Sequence, residues 1–310
     1  MQDLSLGLIG LGSVGRHYVA HLLKANGRLL VFDLDAAWTR SAESEGATSA
    51  GSARELAAQV DVLVLSLPSP TAVQAVMLGS DGVLAGGRPG LLVADASTID
   101  PETCKRLYAA ARDHGIDYLE CPISGGQPGG AGTEGARAAN VTFMVGGDAD
   151  AFERARPVLA LLGQKLFYLG PAGSGSTVKL ISNLMAGLHM LVAAEALTLG
   201  AAAGFAPETL VEVFRETDAK SYTFTDYLAT RIARRDFEPG FAVDLMYKDH
   251  RLASELAQRL GVPLLLNEVA LQVNQMLRAQ GLGRKDHAEV LNFWGRLAGL
   301  DVFEPLQPAD

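Results

Sequence analysis

Up to Gly170 the chain alternates short apolar runs with segments of helical composition, and beyond it no convincing strand follows. Leu6–Ile9, Leu29–Asp33, Val62–Leu67, Leu91–Asp95, Ile116–Glu120, Val141–Val145 and Leu166–Leu169 read as strands. Between them Ser13–Asn26, Pro70–Met77, Pro101–Asp113 and Ala151–Leu162 read as helices. Strands rich in Val and Leu that alternate with helices predict a parallel sheet covered on both faces. After Gly170-Pro171 come Ser174–Ala203, Pro207–Arg215, Ser221–Arg234, Val243–Arg259, Pro263–Ala279 and Asp286–Leu297, all helical in composition. Pro207 opens one of these helices, and Gly261 closes another before Pro263. The expected architecture is an α/β domain over residues 1–169 and an all-α domain over 170–310, joined by a long helix. Clefts between two such domains are common ligand sites.

The joining helix opens on Gly173-Ser174-Gly175-Ser176, and Val178 to Ala203 then runs almost without a charge, broken only by Lys179, His189 and Glu195. It is long enough to span a bilayer. Those three residues and Asn183 are each expensive in lipid, so a long buried helix is the expected state. Lys179 and Asn183, four residues apart, share one helix face, with Ala186 and Met190 close to it and Gly187 on its edge. On this stretch alone, a lysine snorkelling from a core helix end and a functional lysine are equally compatible.

Composition narrows the partners. Hydrophobic residues make up 48% and charged residues 20%, as in a packed globular protein. A net charge of −9 argues against nucleic acid and anionic membrane surfaces as partners. Cys104 and Cys121 are too few for a disulfide framework or a cysteine-based metal site. The six histidines are scattered without ligand spacing, so no metal is expected. The N-terminus lacks the positive segment of a signal peptide, which makes the cytoplasm the expected location.

Gly10-Leu11-Gly12-Ser13-Val14-Gly15 follows an apolar run and opens a helical pattern, and the next strand ends in Asp33. A GxGxxG pattern in that context reads as a dinucleotide site: the glycines allow a tight turn, and the helix start offers N–H groups to a pyrophosphate. Asp33 is placed to accept from the ribose hydroxyls and would repel a 2′-phosphate, so NAD is expected in preference to NADP. In a doubly wound sheet the strand ends face the ligand, making Leu67, Pro68 and Thr98 candidates for contacts toward the nicotinamide. Asp95-Ala96-Ser97-Thr98 also fits a helix cap ahead of Ile99–Arg112. Further on, Ser124-Gly125-Gly126 can turn several N–H groups toward one point, a nest for the anionic end of a substrate. A flexible surface loop would show the same composition.

Taken in order, Gly10–Gly15, Asp95–Thr98, Pro122–Gly126, Gly173–Asn183 and Lys248-Asp249 resemble the β-hydroxyacid dehydrogenase family, which includes 3-hydroxyisobutyrate dehydrogenases and tartronate semialdehyde reductases. The resemblance covers nearly the whole chain. It implies a Rossmann-type domain joined through a long helix to a helical domain, and an NAD-dependent oxidoreductase; an apolar helical domain of this kind suggests a homodimer or homotetramer. It implies that Lys179 is catalytic, that Ser124, Gly125, Gly126 and Asn183 bind substrate, and that Lys248 lies near cofactor and substrate. The chain departs from the family pattern at Val14, at Arg16-His17, at Glu120 where aspartate is usual, at Asn140 for threonine and at His250 for leucine. Residues 127–134 also form a longer segment than is typical beside the cradle.

Oxidising an alcohol needs a base within reach of the hydroxyl. A lysine, with an ordinary pKa of about 10.4, serves when burial and neighbouring positive charge favour the neutral amine. In reverse, the protonated lysine donates to the developing alkoxide. The expected substrate is a short 3-hydroxyacid such as 3-hydroxyisobutyrate. A tartronate semialdehyde or other sugar-acid enzyme is the alternative within the family. An imine reductase usually carries another polar residue at position 179, and a dinucleotide sensor need not keep Lys179, Asn183 and Lys248 together.

Overall fold

The structure, a computed structural model, describes residues 4–125, 132–238 and 240–306. These form two compact units that divide between Lys179 and Leu180, ten residues beyond the boundary expected from composition.

The first unit carries strands β1 (Leu6–Ile9), β2 (Leu30–Phe32), β3 (Thr48–Ser49), β4 (Val62–Leu65), β5 (Leu92–Asp95) and β6 (Asp117–Glu120). They make one all-parallel sheet in the order β3-β2-β1-β4-β5-β6. This is the doubly wound order, in which the chain reverses direction across the sheet beside β1. Its helices are α1 (Gly15–Asn26), α2 (Ala36–Ser44), α3 (Ala53–Ala57), α4 (Pro70–Leu78), α5 (Val83–Gly86) and α6 (Pro101–Asp113). Strand residues alternate between the two faces. Leu8, Val64 and Ala94 pack with Tyr18, Val19 and Leu22 of α1, whereas Ile9, Leu65 and Val93 pack with Leu56 of α3 and Leu107 of α6. Burial on both faces explains why β1, β4 and β5 read as unbroken apolar runs.

One expectation is corrected here. The runs at 141–145 and 166–169 do not extend the parallel sheet. Strands β7 (Ile123–Ser124), β8 (Val141–Val145) and β9 (Gly163–Tyr168) form a separate three-stranded sheet, with β7 antiparallel to β8. Composition does not say which sheet an apolar strand joins; the bridge between Glu120 and Gly146 turns the chain into the second one. Helices α7 (Gly132–Arg137) and α8 (Ala149–Leu159) complete this unit. The two-residue strands β3 and β7 and the polar helix α2 leave no periodic apolar signal, which is why composition misses them.

Helix α9 (Ser174–Ala202) runs from the first unit into the second. Its most apolar 18-residue window has a mean hydropathy of 1.5 and is 39% buried, so the helix is not the fully buried one expected. Leu180, Met190, Ala194, Leu197 and Ala201 are buried, while Ile181, Met185, Val192 and Leu199 stand exposed. By length and composition alone it is the one helix among the described residues that could cross a membrane.

The second unit continues with α10 (Pro207–Arg215), a π-turn at Thr223–Leu228, α11 (Ala229–Arg234), α12 (Val243–Leu260), α13 (Leu265–Ala279), a 3-10 turn at His287–Glu289 and α14 (Val290–Leu297). Its core gathers Leu197 with Phe224, Leu228, Ile232, Leu277, Leu291 and Phe293.

Candidate active site

The turn after β1 is shaped by glycine where backbone meets backbone. Gly10 has φ +92°, and a Cβ there would lie 2.3 Å from the Ser66 carbonyl oxygen. A Cβ on Gly15 would lie 1.8 Å from the Gly10 carbonyl oxygen. Around Gly12 the situation is reversed, with nothing within 4 Å of where a Cβ would be. The first and third glycines are thus needed for internal packing, and the second opens outward. Helix α1 starts with no side-chain cap and no acid in its first turn, which leaves its positive end to an external anion.

Asp33 braces this turn. Its Oδ2 accepts the Leu11 N–H at 2.6 Å and its Oδ1 accepts the Asp35 N–H at 2.8 Å. Leu67 and Pro68 follow β4, where the Leu67 N–H donates to Ser97 Oγ at 2.9 Å. Behind them Asp95, fully buried, accepts from the Ser97 N–H (2.9 Å) and the Tyr118 hydroxyl (2.8 Å). The helix-cap alternative for Asp95–Thr98 does not hold. Asp100 caps α6 by accepting the Thr103 N–H at 2.8 Å, which leaves half-buried Thr98 in the segment between β5 and α6. The organising pair Asp95 and Tyr118 escapes sequence reasoning, since a tyrosine on β6 carries no mark of the partner it will meet.

Ser124 lies in β7 opposite Thr142, half-buried, and Gly125 follows it. Gly126, the third member of the expected cradle, lies outside the described residues, as does most of the longer segment after it.

Lys179 is 6% exposed on α9, in its second turn. One turn earlier the Gly175 N–H donates to Glu120 Oε1 at 2.9 Å. One turn later Asn183 is 7% exposed, and its Nδ2 donates to Asp249 Oδ2 at 2.5 Å. Asp249 is itself buried and pairs through Oδ1 with Lys248 Nζ at 3.3 Å. Asp249 therefore links Lys248 to Asn183, a role wider than the pairing with Lys248 that adjacency suggests. Next to it His250 is fully buried and stands against Gly187, where a Cβ would come within 2.2 Å of Nε2. Burial pushes the His250 pKa down, and its Nδ1 meets Asn267 Oδ1 at 2.6 Å. The Asn267 amide donates to the His250 carbonyl and to Ser254 Oγ, so the Asn267 oxygen is the acceptor and His250 Nδ1 carries the proton. Among the described residues no three His, Cys, Asp or Glu side chains gather as a metal site.

A family model for the NAD binding domain of 6-phosphogluconate dehydrogenase matches residues 5–170. A second, for the NAD-binding region of NADP-dependent 3-hydroxyisobutyrate dehydrogenase, matches residues 173–294. The chain belongs to the β-hydroxyacid dehydrogenase family. It is 35% identical over 301 residues to 2-(hydroxymethyl)glutarate dehydrogenase of Eubacterium barkeri, covering 97% of this chain and 98% of the relative. It is 36% identical over 291 residues to an NAD-dependent L-serine dehydrogenase of Pseudomonas aeruginosa, covering 92% and 96%. The crystal structure of a 3-hydroxyisobutyrate dehydrogenase from Salmonella typhimurium superposes with a TM-score of 0.82 at 31% identity, covering 94% of this chain and all of that one.

As a member of this family the chain is an NAD(P)-dependent dehydrogenase acting on a CH–OH group. Its own geometry fits such a cofactor. The open space at Gly12 and the uncapped start of α1 leave room and helix-start N–H groups of the kind a pyrophosphate needs, and a side chain at position 12 would enter that space.

Proposed function

We propose that this dehydrogenase uses NAD to oxidise a short 3-hydroxyacid of the 3-hydroxyisobutyrate type, with Lys179 as general acid/base. The observation that carries the reading is the buried amine of Lys179, one helical turn from a buried Asn183 that is itself held by Asp249. A lysine 6% exposed is costly unless it is paired or functional, and its place beside Asn183 on one helix face favours a functional one. When bound, NAD⁺ supplies a hydride acceptor at nicotinamide C4. The chain's part is to bind, orient and move the proton. Gly10, Leu11, Gly12, Ser13, Val14 and Gly15 hold the pyrophosphate, and Asp33 reads the ribose hydroxyls. Leu67, Pro68, Thr98 and Lys248 would contact the cofactor toward its nicotinamide. Ser124, Gly125 and Gly126 take the carboxylate, and Asn183 orients the substrate. Neutral Lys179 then accepts the hydroxyl proton at Nζ, and in the reverse direction its ammonium returns the proton to the alkoxide.

The names of the relatives support the substrate class. 2-(Hydroxymethyl)glutarate, L-serine and 3-hydroxyisobutyrate share one unit, a CH₂OH on the carbon that bears the carboxylate. We infer a 2-substituted 3-hydroxypropanoate, whose carboxylate the cradle holds while its primary alcohol faces the lysine. This reading places the enzyme in the cytoplasm as a homodimer or homotetramer. Exposed Ile181, Met185, Val192 and Leu199 on α9 support the oligomer.

The deciding experiment is NADH formation from NAD⁺ with 3-hydroxyisobutyrate, L-serine, 2-(hydroxymethyl)glutarate and glycerate. Turnover of at least one 2-substituted 3-hydroxypropanoate is expected. NAD binding without turnover of any of them would favour a non-catalytic sensor.

A further inference from the structure

The turn that opens α9 is held from outside the helix. Glu120 ends β6 and is 1% exposed. Its main chain exchanges two hydrogen bonds with Gly146, at 3.1 and 3.0 Å, which fixes where the side chain begins. Its Oε1 then reaches the Gly175 N–H at 2.9 Å. The fit leaves no room at either glycine. A Cβ on Gly146 would lie 2.3 Å from that same Oε1, and one on Gly175 would lie 2.3 Å from the Met144 carbonyl oxygen. Ser176, the next residue, is fully buried, with its Oγ 2.9 Å from Cys104 Sγ.

The first N–H groups of a helix have no partner within it, and its N-terminus is positive. Glu120 is therefore a cap supplied from another strand, 55 residues away in the chain. Burial pushes the Glu120 pKa up against the pull of the Gly173, Gly175 and Ser176 N–H groups, and Oε2 is buried without a hydrogen-bond partner. An acid kept at a position where it is only half-satisfied points to a requirement on geometry rather than on stability.

Lys179 lies one turn on. In α-helical geometry its peptide N–H bonds the Gly175 carbonyl, so the first turn sets the lysine's position relative to the sheet. We propose that Glu120 is a positioning residue for Lys179: its carboxylate pins the Gly175 N–H, and the amine one turn later is held at a fixed depth. The proposal rests on the acid/base reading of Lys179.

The test compares Glu120→Ala, Glu120→Gln, Lys179→Ala and the double variant Glu120→Ala/Lys179→Ala with the parent. One arm measures NADH formation from NAD⁺ and 3-hydroxyisobutyrate. The other follows Lys179 in the cofactor-free protein by NMR of ¹³Cε-labelled lysine, assigned by its loss in Lys179→Ala. Glu120→Ala is expected to lower kcat by about tenfold or more, the scale on which small misplacements act, with KM for NAD⁺ unchanged. Glu120→Gln keeps an oxygen for the Gly175 N–H and is expected to restore most of the rate. In the Lys179→Ala background, Glu120→Ala costs nothing further. The Lys179 resonance and its titration midpoint move in Glu120→Ala and return in Glu120→Gln. A role in stability alone would lower Tm and leave both where they are.

A folded Glu120→Ala protein with the parental Lys179 resonance and midpoint overturns the proposal, as does an equal fall in kcat in both backgrounds. Should Glu120→Ala not fold, Glu120→Leu, which keeps much of the bulk and removes the acceptor for the Gly175 N–H, takes its place with the same outcomes required. If the parent does not turn over 3-hydroxyisobutyrate, the NMR arm decides alone. Parental turnover in Lys179→Ala would sink the acid/base reading, while the resonance still reports on positioning.

Discussion

Residues 10–15 and 175–183 both open helices, yet they are held in different ways. The first stretch is shaped by backbone meeting backbone, Gly10 against Ser66 and Gly15 against Gly10. The second is pinned by side chains far away in sequence. Glu120 takes the Gly175 N–H across 55 residues, and Asp249 takes the Asn183 amide across 66. Where a backbone must approach closely only glycine fits, so the constraint is written into the residue itself. Where a side chain must be met, any residue able to accept will serve, and its identity says little about where it goes.

The largest effect that can break this comparison is at Lys179. Lys179→Ala is expected to lower kcat by roughly 10²–10⁴-fold while NAD affinity changes little. Stopped-flow turnover beside NAD titration checks it. A loss of NAD binding of similar size would show that the two stretches do not act separately.

A smaller effect is expected at Asp33, whose carboxylate serves the glycine turn through the Leu11 N–H. Asp33→Ala should narrow the preference for NAD over NADP about tenfold, the scale of one hydrogen bond to a charged group. The ratio of kcat/KM for the two cofactors measures it. An unchanged ratio would leave Asp33 with the brace alone.

The smallest effect concerns pH. His250 and His287 are buried, and burial pushes both pKa values below the ordinary 6.5. The unfolded chain takes up protons near pH 6.5 that the folded chain resists. Their contribution to stability is therefore complete above that pH and is lost as pH falls below it. Thermal melts should show Tm falling between pH 7 and pH 5, and His250→Leu should flatten part of that fall. An identical slope in the variant would remove His250 from the account.

Much of the fold was legible because both of its periods were strong. Five of the runs read as strands became β1, β2, β4, β5 and β6, and Pro101–Asp113 and Pro207–Arg215 form helices with the bounds the sequence suggests. What escaped was short or polar, such as β3 and α2, or depended on which sheet a strand would join, as for β8 and β9. In the candidate site the glycine turn and the shared helix face of Lys179 and Asn183 could be anticipated. Glu120 was visible only as a departure from the family pattern, and Asp249 only as the neighbour of Lys248. Neither position forecasts its partner.

By itself the sequence determined the class of fold, the dinucleotide turn and the family. These rest on local constraints: the spacing of apolar residues, and glycines where no side chain fits. Tertiary structure alone decided that Asp33 braces the turn it was expected to serve, that Asp249 holds Asn183, and that a strand-end carboxylate caps the helix bearing Lys179. Each is a single hydrogen bond between residues 22 or more apart, and its energy depends on where folding brings two groups and not on what either one is.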